Sequence, residues 1–289
     1  MISLDANCSL SAPRDHAAWA ALTRRAVLDG MRKSKKSRGG ASLATRRERN
    51  APWCDGKGVD CHFLERGSRH LLPAMLEKMG YRGASAEVGV WLGDYSAVLL
   101  RSWPSGGVHL AIDPFEVYDE GCKRKGWVTT GQWHCTKTQQ RMNEVFGNTS
   151  RRLAWGGKTL RNPAAAKRRA TMLRNHSLDV AAALARSAAR LDFAYLDGRH
   201  DYAGVVQDLA AWWPRICPGG ALAGHDYTDE AVARAVGEFF AESGTGGGGA
   251  CGAAGRSDAG CAARRPVVFV TAESPASYLV FKPPARPVH

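Results

Sequence analysis

Apolar residues along the chain recur in two alternating spacings. The short runs AEVGVW (86–91), VHLAID (108–113), ATMLR (170–174), LDFAYLD (191–197) and GALAGHD (220–226) are too brief for helices and read as buried strands. Between them, apolar positions fall three and four apart in HLLPAMLEKM (70–79), YSAVLLRSW (95–103), SLDVAAALARSA (177–188), AGVVQDLAAWWPRI (203–216) and AVARAVGEFFAE (231–242). Val205, Leu209, Trp212 and Ile216 share one helical face, as do Val232, Val236 and Phe239. At the end, VVFVTA and SYLVFK flank ESPA and read as a hairpin.

Apolar strands alternating with amphipathic helices pair in parallel, with helices on both faces. The expected fold is therefore α/β and doubly wound, with an antiparallel C-terminal hairpin. In such sheets ligands bind beyond the carboxyl ends of the strands. Two of those ends carry the same cluster, DGRHDY (197–202) and GHDY (224–227).

Composition refines this picture at the margins. Formal charge is +13, but residues 1–50 contribute +7 and residues 151–174 contribute +8, leaving the remainder near neutral. A groove that tracks phosphates would spread its charge over the core, so nucleic acid is not the expected partner. Residues 1–60 read as a basic, largely disordered extension and 61–289 as the folded domain. Insertions interrupt it at about 114–168 and in a Gly-rich loop at 242–265. Within the first insertion, Trp127, Trp133 and His134 form either a lid over an acceptor or an ordinary packed excursion. TKTQQRMNEVF (136–146) reads there as a helix.

No apolar run approaches the roughly 18 residues of a membrane span, so a soluble protein is expected. The cytoplasm is the default compartment. The Arg- and Ser-rich leader also has the composition of an organelle import segment. Eight cysteines contain no CxxC pair, which argues against zinc and for free thiols in a reducing compartment.

The turn EVGVWLGDYS places Glu87, Gly89, Gly93 and Ser96 between a strand and a helix. Trp91 stands where a dinucleotide motif needs a glycine to admit pyrophosphate. Backbone N–H groups and a helix N-terminus still meet there, which suits a small carboxylate. Asp113, 20 residues beyond Gly93, ends the next strand and can accept from both hydroxyls of a ribose. S-adenosylmethionine has a carboxylate, an ammonium and a ribose, and no phosphate.

With FAYLDGRHDYAGVVQDLAAWWPRICPGGALAGHDYTD (193–229) added, the chain resembles the class I S-adenosylmethionine-dependent methyltransferases. It is most similar to a bacterial-type small O-methyltransferase-like family with the pattern DGxHxY, AWWP, PGG and AGHDY. The resemblance covers roughly residues 65–120, 168–242 and 266–283. It implies a Rossmann-like seven-stranded sheet whose last strand is antiparallel. It also implies that Glu87, Gly89, Gly93 and Ser96 contact the methionine end of the cofactor and that Asp113 binds the ribose. The RNHS turn (174–177) falls where relatives hold the adenine amino group with an acid followed by Ser. Here His176 replaces the acid and Ser177 is kept.

Methyl transfer aligns an acceptor lone pair with the methyl and often removes the acceptor's proton. Asp197 and Asp226 end consecutive strands and can share a hard divalent cation, Mg²⁺, with acceptor oxygens. Without metal, His200 or His225 can act as general base. Structural roles compete with these: Asp201 as helix cap, His225 as a satisfied buried imidazole, Asp226 as a loop brace, and Trp212 and Trp213 as helix–sheet packing. The acceptor is expected to be a small molecule with a hydroxyl, and a homo-oligomer stays open. Two rivals are a nicotinamide-dependent oxidoreductase, disfavoured by Trp91 and by the lack of a Tyr-x-x-x-Lys pair, and a nucleic-acid-binding module built on the basic segments.

Overall fold

A computed structural model describes residues 8, 16–31, 59–117, 138–154, 169–243 and 266–284. Eight strands form one sheet: β1 (Asp60–Phe63), β2 (Ser85–Val88), β3 (His109–Ile112), β4 (Ala170–Leu173), β5 (Leu191–Leu196), β6 (Ile216–Gly224), β7 (Val267–Val270) and β8 (Tyr278–Phe281). Their order is β4-β3-β2-β5-β6-β8-β7-β1. Every pairing is parallel except those of β8, which runs antiparallel to both β6 and β7.

The sheet thus has eight strands where seven were expected. β1 starts at Asp60, where the N-terminal extension was expected to give way to the folded domain, and pairs with the outer edge of β7, Asp60 opposite Val267 and Phe63 opposite Val270. β6 also starts four residues earlier than the apolar run suggests. Ile216 pairs with Leu191 before a register shift, and Gly219 takes a positive φ of 81° at the irregularity.

Among the described residues there are seven α-helices: α1 (His16–Met31), α2 (Leu72–Met79), α3 (Asp94–Ser102), α4 (Gln139–Ala154), α5 (Ser177–Arg186), α6 (Tyr202–Trp212) and α7 (Glu230–Ser243). The two-residue alternation of the strands sorts the core into two layers. Ala194 and Leu196 of β5 face α5, α6 and α7, packing with Leu184, Leu209, Trp212, Val236 and Phe240. Phe193 and Tyr195 face α1, α2 and α3, packing with Val27, Met31, Leu76 and Leu99. Each such large side chain, fully buried, contributes about 1.5–3 kcal/mol. Trp212 and Trp213 pack as expected: Trp212 is fully buried, and Trp213 meets the Phe240 ring edge-on.

The segment read as an N-terminal extension therefore contributes a helix, α1, to the fold. Its basic stretch 32–58 lies outside the described residues, as do Trp127, Trp133, His134 and the Gly-rich loop from 244. The cysteines differ from expectation. Cys8 is bonded to Cys217, 209 residues away, Cys61 is also in a disulfide, and no described cysteine is free. A contact across that separation leaves no trace in local spacing. Among the described residues, no helix is long and apolar enough to cross a membrane.

One buried polar chain fixes the start of α3 against the sheet. Ser96 Oγ donates to Glu87 Oε2 and pairs with His109 Nε2 at 2.9 Å, while His109 Nδ1 meets Ser85 Oγ at 3.0 Å. All four side chains are almost wholly buried. Burial pushes the Glu87 carboxyl up to about 8 and the His109 imidazole down to about 3, so both are neutral near pH 6. Glu87 then keeps its proton in the folded state between its ordinary value of 4.5 and about 8, where the unfolded chain has lost it. Stability consequently falls as pH rises through that window. We expect Glu87→Gln, which cannot ionise, to gain stability relative to the wild type steadily from pH 5 to pH 8. Urea denaturation at several pH values measures this difference; a constant gap would mean that Glu87 is charged throughout.

Candidate functional site

Parallel pairing brings three strand exits to one rim. Gly89 N–H donates to Ile112 O at 2.9 Å, Asp197 N–H to Val88 O at 2.8 Å, and His225 N–H to Leu196 O at 3.0 Å. The chain leaving β2 passes so close to β5 that a Cβ on Gly89 would lie 2.0 Å from the Asp197 carbonyl oxygen. Gly89 also has φ of +82°, so two independent constraints demand glycine there.

The turn that follows is unusual at Trp91, a bulky residue with φ of 48°. Asp113 holds it. One carboxylate oxygen accepts Trp91 N–H at 3.0 Å and the other accepts Phe115 N–H at 2.8 Å. Thr149 of α4 donates to Trp91 O at 2.7 Å from the other side. Gly93, at φ of 72°, then opens α3.

At the exits of β5 and β6 the two HDY clusters meet. His200 Nε2 lies 3.3 Å from Asp197 Oδ1 and 3.1 Å from Asp226 Oδ2. His225 Nδ1 lies 3.5 and 3.4 Å from the same two oxygens. Asp226 reaches this position with φ of 54°. Burial alone would raise Asp197, but hydrogen bonds from His200 and His225 outweigh it and hold the carboxyl at about 2. Burial alone would lower His225, but its bonds to Asp197 and Asp226 prevail and carry it up to about 9. Asp226 is lowered in the same way, His225 outweighing burial. Asp197, His225 and Asp226 each offer one ligand atom, all within 4.8 Å of one another.

Other residues singled out in the sequence sit differently. Glu87 and Ser96 are below the rim and bonded to each other, so neither side chain is displayed on the surface of the turn. His176 is exposed at the rim, 3.5 Å from Glu116 Oε2. Ser177 Oγ donates to Asp208 Oδ1 at 2.5 Å and accepts from Trp212 Nε1 at 2.8 Å, which ties α5 to α6. Asp201 caps α6, accepting from Gly204 N–H at 3.0 Å.

Sequence reasoning missed Arg69. It lies in a short 3₁₀ turn just before α2, and its Nη1 donates to Asp197 Oδ2 at 3.1 Å. No periodicity or motif marks it, and 128 residues separate the pair.

Residues 86–227 match a family described as a methyltransferase domain. No curated protein matches the chain significantly in sequence. Among solved structures, the O-methyltransferase TomG from Streptomyces achromogenes, in complex with SAM and involved in tomaymycin synthesis, is 13% identical. The match covers 95% of this chain and 99% of TomG, with a TM-score of 0.48. An O-methyltransferase from Bacillus cereus, in complex with SAH, is 14% identical over 93% of this chain and 100% of its own, with a TM-score of 0.45. The O-methyltransferase NovP is 14% identical over 93% and 100%, with a TM-score of 0.47. Residues 86–227 thus match a methyltransferase-domain family, on a sheet whose antiparallel strand lies between two that run with the rest.

Proposed function

We propose that the chain transfers the methyl group of S-adenosylmethionine to a hydroxyl oxygen of a small molecule. The observation that carries this reading is the convergence of Asp197, His200, His225 and Asp226 beside the turn from Gly89 to Gly93. When bound, the cofactor supplies an electrophilic methyl on a sulfonium centre.

The residues present fit that group, with two roles revised. The Asp113 oxygens carry two lone-pair sites each, so the backbone bonds to Trp91 and Phe115 leave acceptors for ribose hydroxyls. Glu87 and Ser96 are engaged with each other, so the methionine end rests on backbone N–H groups between Gly89 and Gly93 at the start of α3. Ser177 is engaged with Asp208, which leaves His176 and backbone groups for the adenine.

On the acceptor side, Asp197 and Asp226 orient the imidazoles. His200, with 29% of its side chain exposed against 13% for His225, takes the proton of the acceptor hydroxyl. A second reading rests on the three converging ligand atoms of Asp197, His225 and Asp226. These residues would hold a divalent cation that polarises the acceptor oxygen. Two carboxylates suit Mg²⁺, whereas the imidazole suits a later first-row ion. The disulfide-bonded cysteines support a compartment less reducing than the cytoplasm.

Calorimetric titration with S-adenosylhomocysteine tests the cofactor half of the reading. We expect a Kd in the micromolar range and about 30-fold or greater weakening in Asp113→Ala, the scale of losing hydrogen bonds to a charged group. No heat from the wild type would sink the proposal. Titration with Mg²⁺ or Mn²⁺ alone tests the metal reading: binding should disappear in Asp197→Asn/Asp226→Asn. If the wild type binds neither ion, the imidazole-base reading stands.

A further inference from the structure

We propose that Arg69 is a positioning residue for the acceptor side, orienting Asp197 by gripping the carboxylate oxygen that the imidazoles do not use. The inference rests on the reading of Asp197 as an acceptor-side acid and goes beyond it by identifying what holds that acid in place.

The two oxygens of Asp197 have separate partners. Oδ1 faces His200 at 3.3 Å and His225 at 3.5 Å, whereas Oδ2 accepts from Arg69 Nη1 at 3.1 Å. With its two oxygens held from different directions, the carboxylate cannot rotate without breaking a charged contact. Arg69 suits this task because it stays protonated at any working pH and its planar donors are fixed relative to one another. The pair is largely shielded, with side-chain exposures of 24% and 19%, so solvent screens it less than a surface bridge.

Arg69 is itself fixed from behind. Its backbone N–H donates to Glu273 Oε1 at 2.6 Å, in the turn between β7 and β8. The same oxygen accepts from Ser277 Oγ at 2.9 Å, and Ser277 Oγ pairs with Tyr195 OH at 2.9 Å. The Tyr195 ring lies tilted against Tyr95, their centroids 4.0 Å apart, and the Arg69 guanidinium lies 5.9 Å above the Tyr95 ring. The C-terminal hairpin thus reaches Asp197 through Glu273 and Arg69. Three segments distant in sequence, at 69, 197 and 273, act as one brace.

The test reads the imidazoles directly, because a residue acting through Asp197 must alter what Asp197 touches. Side-chain ¹⁵N resonances of His200 and His225 are recorded for the wild type, Arg69→Ala, Arg69→Lys and Asp197→Asn. We expect Arg69→Ala to shift both imidazoles, Arg69→Lys, which keeps the charge but not the planar donors, to restore them only in part, and Arg69→Ala to add nothing in an Asp197→Asn background. Affinity for S-adenosylhomocysteine should stay within about threefold, since Arg69 acts on the other side of the site. Imidazole resonances of Arg69→Ala that superimpose on the wild type overturn the proposal, as does an equal shift with and without Asp197. Should Arg69→Ala fail to fold, Arg69→Gln, which keeps most of the side-chain volume, takes its place. Failure of the wild type to bind S-adenosylhomocysteine would instead overturn the functional reading, leaving the imidazole result to stand on its own.

Discussion

The close approach of the β2 exit to the β5 backbone is the constraint on which the rest of the site depends. With the Asp197 carbonyl 2.0 Å from where a Gly89 Cβ would be, the turn of one strand and the acid of its neighbour form a single unit. The parallel ladder sets the same arrangement at β6, where His225 N–H bonds to Leu196 O. On the proposed reading, a cofactor cradled at the first turn and an acceptor held at the next two exits would be at a distance fixed by strand spacing, about 4.8 Å per step. Loop flexibility has little say in it. Aligning methyl donor and acceptor would then be an entropic cost met during folding.

Three polar assemblies, one fully buried and two partly, brace that rim, and each engages a residue expected to face the cofactor. Glu87 and Ser96 anchor α3 through His109, Asp113 holds the strained turn at Trp91, and Ser177 bridges Asp208 and Trp212. A buried polar group without a partner costs more than a typical hydrogen bond contributes, so such residues pair among themselves. Asp113 differs from the other two, because its partners are backbone N–H groups and its oxygens retain accepting capacity. The same motif letters can thus serve the scaffold at one position and the ligand at another.

This distinction limits what the sequence reveals. The strands β2, β3 and β5 were legible because runs such as LDFAYLD are apolar on both faces, and a strand buried on both sides leaves that signature. β1 was missed because DCHF is four residues long, half polar, and preceded by a basic stretch that reads as disordered. β6 was shortened because Pro218 and Gly219 look like a turn, although Gly219 serves there as an irregularity within a strand. The Asp197–Asp226 meeting was legible because both acids follow apolar runs and consecutive strands of this topology are neighbours. Arg69 and the Cys8–Cys217 bond were not, since each joins segments far apart in sequence by a contact that only tertiary packing creates.

The cluster poses an electrostatic problem whose solution explains its composition. Two carboxylates brought together at neighbouring strand ends repel, and ordinarily one of them retains a proton. Here both are held below the usual carboxylate range, because cationic or donating groups stand between and around them. The imidazoles separate the carboxylates, and Arg69 grips Asp197 from outside. These partners are not equivalent. An imidazole can exchange its proton during turnover, so the compensation it gives varies through the reaction. A guanidinium cannot, so on the proposed reading Arg69 would supply a positive charge that stays constant while a histidine takes up or releases a proton. A lysine could match the charge but not the fixed planar geometry, and a third histidine could match neither the geometry nor the permanence. On the proposed reading, a site with two acids and two imidazoles gains from one cation that does not titrate, placed where it touches an acid beside the imidazoles. The turn before α2, braced by Glu273, places it there.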